Sequence, residues 1–370
     1  MKFVLLAFTL ILLTASIQGK TKNKYWHKDA PVPELNREKY VCYRTSDSIN
    51  IDGIPDENSW KEAEWSGEFV DIRGSEFPAP THATKVKMLW DDNYFYVAAH
   101  LEEPHIQGTI TRHDAVIFRD NDFEVFIDPS GDTHLYYELE INALNTIWDL
   151  LLIKPYRVGG PPVNSLESPE IKTAVHIIGT LNNPADTDSC WSVEMAIPLG
   201  TLTELNGKRK PTEGTQWRVN FSRVQWHTRV VDGAYEKITK PETGNPLPEE
   251  NWVWSPQGVI DMHRPETWGY VQFSESESGA GSSKFENRIE EETKWALQNI
   301  FLAQRKYHGL HGHFANSLNQ LREVGFNPDA LNGSYEIRRG WHTFEIKSSL
   351  SNSDWFINQE GRVWSAKMNN

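Results

Sequence analysis

Three short segments set acids, amides and aromatic rings on alternating positions. In DFEVFID, Asp122, Glu124 and Phe126 fall on one side of an extended backbone, with Phe123, Val125 and Ile127 on the other. In HLYYELEIN, Tyr136, Glu138, Glu140 and Asn142 share a side opposite Tyr137, Leu139 and Ile141. In QWRVNFSRVQW, Asn220, Ser222 and Trp226 share a side. If these strands are neighbours, one sheet face carries carboxylates, amides and rings together. Such a face suits a saccharide. The C–H patches of a pyranose stack on rings, and its hydroxyls pair with carboxylates and amides as donors or acceptors. Alternation alone also fits the polar, solvated face that is the default for an antiparallel sheet. The same glutamates, Glu124, Glu138 and Glu140, could instead pair across strands as acid and base to hydrolyse O-glycosyl bonds, since facing Cβ atoms lie about 5 Å apart.

The elements that must hold these residues are short. Nine runs rich in Val, Ile, Phe, Tyr and Trp span 84–90, 93–101, 122–128, 134–142, 146–154, 173–179, 190–197, 216–226 and 268–273. Turn formers separate them, among them Asp91-Asp92-Asn93, Asp128-Pro129-Ser130-Gly131-Asp132 and Asn182-Asn183-Pro184. The pattern predicts a mainly β protein, an antiparallel β-sandwich of jelly-roll or immunoglobulin-like type, over residues 41–274. The Ser/Gly-rich segment 275–284 reads as a linker that does not pack. Beyond it, a helical period from Phe285 to about His308 and later β-like runs predict a small α+β appendage over 285–370.

The N-terminus reads as a secretory leader: Lys2, then an apolar run from Phe3 to Thr14, then small residues before a cut after Gly19. Residues 20–40, polar and proline-containing, form an extended lead-in. The expectation is a secreted or periplasmic protein that is not inserted in a membrane once residues 1–19 are removed. A net charge of −14 makes nucleic acid an unsuitable partner. Cys42 and Cys190 permit a disulfide in an oxidising compartment, but their spacing neither requires nor excludes it.

The ordered pieces INIDGIPDENSW, KVKMLWDDNYFYVAAHL, FRDNDFEVFIDP, YYELEIN and CWSVEMAIP resemble the family 9 carbohydrate-binding modules, from about Ser48 to Ser274. The resemblance implies a β-sandwich, structural calcium in some members, and a slot for sugar chain ends between two rings with Glu, Arg, Asn and Gln assisting. Carried over, the Glu is Glu124 and the Asn is Asn142. One ring position falls at Ile117 or Phe118, and the other falls at Met262 with His263 beside it. The Gln position falls near Ser222, and the Arg position near Leu139 or Glu140, where this chain departs from the family. Trp148, Trp226, Trp252 and Trp254 are the candidate substitute platforms. Related sandwich domains also carry b-type haem, for which Met88, Met262 and His263 are available. No cofactor is demanded by any motif. Oxygen-rich turns at Asp91, Asp92, Asp128 and Asp132 are calcium candidates, and His308, His311 and His313 are zinc candidates. The expected function is binding of a poly- or oligosaccharide outside the cytoplasm in support of carbohydrate breakdown, with Glu124, Asn142, Phe118, Ser222, Trp148, Trp226 and His263 in the site.

Overall fold

The computed structural model describes residues 36–164, 166, 168–206, 209–350 and 353–367. The expected leader and most of the lead-in lie outside these residues. In chain order the strands are β1 Lys39–Arg44, β2 Val70–Asp71, β3 Thr84–Trp90, β4 Tyr94–Glu102, β5 Asp122–Asp128, β6 Tyr136–Asn142, β7 Ile147–Leu152, β8 Pro162–Val163, β9 Lys172–Ile178, β10 Cys190–Pro198, β11 Gln216–Gln225, β12 Thr228–Val231, β13 Ala234–Lys237, β14 Glu250–Val253 and β15 Gly269–Glu277. Helices α1 Asn58–Glu62, α2 Leu199–Thr203 and α3 Ile289–His311 join β16 Tyr335–Arg339, β17 Phe344–Leu350, β18 Ser353–Asn358 and β19 Val363–Lys367. Each of the nine runs expected from sequence is a strand.

The chain folds as a β-sandwich. One leaf runs β8-β7-β6-β5-β11-β15 and the other β3-β4-β10-β9, with β1 bridging them. Apart from β1, which lies parallel to both β15 and β3, the ladders of the sandwich are antiparallel. The period-2 pattern explains the core between the leaves. Phe123, Val125 and Ile127 of β5 meet Trp191, Val193 and Met195 of β10, with Val97 of β4 and Phe221 of β11 in the same cluster. Phe123 and Phe221 stack at 5.9 Å, a geometry that adds about 0.5–1.5 kcal/mol to the burial of the rings themselves. Trp252 and Trp254 belong to this core, and neither lines the cavity floored by Glu124. Cys42 and Cys190 are both buried free thiols.

The reverse faces of both leaves are covered rather than solvated. Helix α1 seats Trp60 against Leu89, Tyr96 and Ala98. On the other leaf, β14 pairs with β11 and β2. The chain that follows lays Met262 and Trp268 over Phe126, Tyr136, Leu150 and Leu152. This covering segment turns what sequence reads as an outward polar face into a semi-enclosed chamber.

The appendage packs α3 on the antiparallel meander β16–β19. Of its helical-period residues, Leu297, Ile300, Phe301 and Tyr307 are buried, whereas Ile289 is exposed. Gly312, in the left-handed conformation, ends the helix. The Ser/Gly stretch does not float free. β15 extends to Glu277, the Ser283 amide donates to the Tyr43 hydroxyl at 2.7 Å, and Gln272 donates to the Lys284 carbonyl at 2.9 Å. Glu291 of α3 then accepts from Arg218 at 2.6 Å and from Tyr270 at 3.0 Å, tying the appendage to the sandwich.

A candidate binding cavity beneath the covering segment

The register aligns one row of side chains across four strands. Ser222 of β11 faces Glu124 of β5, Glu124 faces Glu140 of β6, and Glu140 faces Trp148 of β7. The neighbouring row sets Asn220 beside Phe126 and Phe126 beside Glu138. Side chains directly opposite on antiparallel strands sit close enough to touch. Above these rows lies a cavity of about 260 Å³. Glu124, Glu138, Glu140 and Phe126 form its base, and Phe118, Trp148, Tyr156, Ile260, Met262 and His263 line it too. Phe118, Tyr156 and Ile260 are exposed at its rim, while the three glutamates are nearly sealed.

Local structure explains each placement. Phe118 sits in a short 3₁₀ turn, and its amide donates to Glu140 at 2.8 Å. The indole of Trp226 donates to the Phe118 carbonyl at 2.8 Å and fixes that turn from behind. Tyr156 is carried by the loop after β7, where a Cβ on Gly160 would lie 1.7 Å from the Lys154 carbonyl oxygen. Only glycine permits that turn, which brings the Tyr156 ring edge-on to His263 at 4.3 Å. His263 Nδ1 lies 3.0 Å from the Tyr136 hydroxyl, and burial pushes its pKa down to about 4, so the imidazole is neutral at pH 7. Met262 is held by Trp268, whose indole donates to its carbonyl at 2.9 Å, and its sulfur accepts from Gln257 at 2.8 Å.

Five acids line the chamber, Glu124, Glu138, Glu140, Glu249 and Asp261, with no lysine or arginine among the described residues that form its wall. Burial pushes the Glu124 carboxyl up to about 7. Burial first, and then the neighbouring Glu124 charge, raises Glu138 and Glu140 well above the usual range. Protonated carboxyls donate as well as accept, so near neutral pH this floor offers both halves of the hydrogen bonds a hydroxyl can make. The exposed rings at the rim supply the apolar complement.

The structure places the sequence candidates unevenly. Glu124, Phe118, Trp148 and His263 line the same cavity. Asn142 does not. It is fully buried, its amide group donates to the Ile110 carbonyl at 2.8 Å and to Asp120 at 3.0 Å, and its oxygen accepts from the Leu144 and Thr146 amides. With every polar atom engaged, Asn142 shapes the β6–β7 turn instead of meeting a ligand. Ser222 is sealed beside Glu124 and does not reach the cavity surface. Trp226 faces a second cavity of about 330 Å³ with His82, His105 and Trp252, and Lys237 lies over its ring at 3.2 Å. Alternation could not reveal Tyr156, Ile260 or Asp261, because they come from loops whose path depends on tertiary contacts.

The other sequence candidates disperse. Met88 belongs to the core between the leaves, whereas His263 and its sequence neighbour Met262 lie together on one wall of the cavity outside one leaf, so no Met–His pair among the three faces across a haem pocket. Asp91 accepts from its own turn amides, Asp92 pairs with Arg44 at 2.6 Å, and Asp128 accepts from Ser130, Gly131 and Thr133. Those turns are explained by Asp as a turn former. Among the described residues, neither these aspartates nor His308, His311 and His313 form a cluster able to hold a metal. The His308 ring instead packs on Phe314 within the appendage, at 4.6 Å.

Residues 51–221 match the model of a family described as carbohydrate family 9 binding domain-like. Exoglucanase XynX of Acetivibrio thermocellus is 29% identical over 121 residues, which are 33% of this chain, and the chain spans 9% of that relative's length. A family 9 carbohydrate-binding module of Caldicellulosiruptor kristjanssonii in complex with cellotriose has a TM-score of 0.43 and 15% identity, covering 67% of this chain and 99% of the module. A family 9 module of the same organism in complex with glucose gives a TM-score of 0.42 and 15% identity, covering 65% and 100%.

Proposed function

We propose that the chain, whose residues 51–221 match the model of a family described as carbohydrate family 9 binding domain-like, binds the end of a saccharide in the cavity floored by Glu124 and rimmed by Phe118. The observation that carries this reading is the convergence of Glu124, Phe118, Met262 and His263 on one cavity. They come from separate stretches of chain, and the family resemblance carries sugar-contacting positions onto them or beside them. The volume, about 260 Å³, lies just under the ~300–1,000 Å³ of typical small-molecule pockets and suits one or two sugar rings better than a long strand of glycan. Phe118 and Tyr156 offer ring faces for C–H patches, while Glu124, Glu138 and Glu140 pair with hydroxyls. The work takes place outside the cytoplasm, where the leader sends the chain, and holds a carbohydrate-degrading system on its polysaccharide.

A glycan array followed by titration calorimetry tests this. Phe118→Ala should weaken the best glycan by about two- to tenfold, the worth of one ring contact. Glu124→Gln should weaken it by at least about tenfold, as expected on losing a charge-assisted hydrogen bond. Glycan binding indifferent to both substitutions would place the ligand elsewhere and end the proposal.

A further inference from the structure

A different cluster lies off the other side of β7 and shares no residue with the cavity floored by Glu124. Along β7, Ile147, Asp149 and Leu151 fall on the side that faces the core between the leaves, where Ile147 and Leu151 pack, whereas Trp148 lines the cavity. Asp149 pairs across the ladder with Leu139, itself a core residue, and is only 2% exposed. An acid at an apolar position breaks the alternation that explains the rest of the sandwich. A buried carboxylate persists in such a place only with a partner that offsets its charge.

The loop between β4 and β5 brings further donors to it. The Asp114 amide donates to the Ile147 carbonyl at 3.2 Å, which lays this loop on the start of β7. Asp114 takes up the left-handed conformation, φ 58°, which Asp adopts more readily than most residues. One ligand atom each of His113, Asp114 and Asp149 then lies within 4.8 Å of the others. His113 Nε2 is 3.4 Å from Asp114 Oδ1 and 3.7 Å from Asp149 Oδ1. Both separations exceed the roughly 2.7–3.2 Å of a hydrogen bond. Asp114 Oδ1, sealed from solvent, has no hydrogen-bond partner. A protonated imidazole drawn to two carboxylates would close on one of them. Donors about 2.0–2.2 Å from a tetrahedral ion lie instead about 3.3–3.6 Å apart, close to the spacing seen.

We propose that His113, Asp114 and Asp149 form a binding site for a divalent transition-metal ion of the zinc class. One imidazole nitrogen with two carboxylate oxygens is a zinc donor set, whereas calcium takes about six to eight oxygens. The His113 side chain is 47% exposed, so the fourth position opens to solvent and water completes the shell. The ion offsets the Asp149 carboxylate inside the sandwich and fastens the loop ahead of the Phe118 turn to β7.

The test uses the full chain without a histidine tag, stripped with EDTA, dialysed, and titrated with zinc chloride or with cobalt chloride as a coloured probe. One ion per chain should bind with a Kd below about 10⁻⁴ M. Bound cobalt should show the strong visible absorption of a four-coordinate ion, displaced by zinc and not by calcium. His113→Ala and Asp149→Asn should each weaken binding at least about tenfold, while His311→Ala, at the end of α3, should leave it unchanged. If Asp149→Asn fails to fold, His113→Ala decides, because that half-exposed side chain is not part of the core. Zinc that fails to bind at about 1 mM, or that binds His113→Ala as tightly as wild type, overturns the proposal. So does binding lost in His311→Ala instead, or cobalt that calcium displaces as readily as zinc does. The saccharide reading rests on other residues and stands or falls separately.

Discussion

Replacing Glu124 by Gln should stabilise the protein above about pH 7, although it removes an ionisable group from the candidate site. Glu124 is buried and its carboxyl is pushed up from 4.5 to about 7, first by desolvation. A carboxyl whose pKa is raised on folding contributes stability that is fully present below its unfolded value, here 4.5, and is lost as pH climbs through about 7. At 1.36 kcal/mol per pKa unit, the loss is about 3 kcal/mol once the group is ionised. Glutamine keeps the shape and cannot ionise. It also relieves Asp122, Glu138 and Glu140 of a neighbouring charge that raises their own pKa values. Spread over a sandwich of this size, about 3 kcal/mol corresponds to a Tm difference of about 6–12 °C. Differential scanning calorimetry from about pH 4 to pH 9 should show wild type losing Tm between about pH 4.5 and pH 7 and levelling off above that, and Glu124→Gln losing less over the same window. Asp128 and Glu194 are also raised, but they are present in both proteins and cancel in the comparison. Parallel curves, or a variant less stable at about pH 8, would refute the reasoning.

Other outcomes follow from the same contacts. Trp268→Ala should cost about 3–5 kcal/mol in urea unfolding, because the indole is fully buried and anchors Met262 in the segment that roofs the cavity. Glu266→Ala should cost about 3–5 kcal/mol, since it strands Arg157, buried and bonded to Glu266 at 2.8 Å, and leaves Arg264 without its partner. Burial works to raise the Glu266 carboxyl, but those two arginines outweigh it and hold the group down at about 2. Its contribution therefore persists above the unfolded value of 4.5 and fades only as pH falls towards 2. Because both cysteines are free, reductant should leave Tm unchanged, and both thiols should alkylate only on unfolding.

Much of the architecture is legible because period-2 alternation is a direct imprint of a two-faced strand. Phe123, Val125 and Ile127 can be assigned to the core from their spacing alone, and all nine strong runs are strands. The polar side of those strands reads differently in kind. Alternation tells which residues share a face, but not whether a distant segment covers it, and the chain around Met262 and Trp268 does so. That is why Glu124 and Glu140 are buried acids instead of solvated ones. Asn142 qualifies by its side-chain chemistry, yet its amide is consumed by the neighbouring turn, which pattern cannot show. Tyr156 escapes a reading by pattern because its position depends on the Gly160 turn, a three-dimensional constraint with only the Gly-Gly pair as its trace. The Ser/Gly stretch looks unstructured by composition, but Ser283 and Lys284 find partners on β1 and β15, the former far away in sequence.

The most direct measurement is calorimetric titration of wild type and Phe118→Ala with the best-binding soluble oligosaccharide from an array. Wild type should bind one ligand per chain, and the variant should bind about two- to tenfold more weakly while melting within a few degrees of it. A protein that captures no glycan, or a variant that binds as tightly as wild type, would contradict a saccharide site at this cavity.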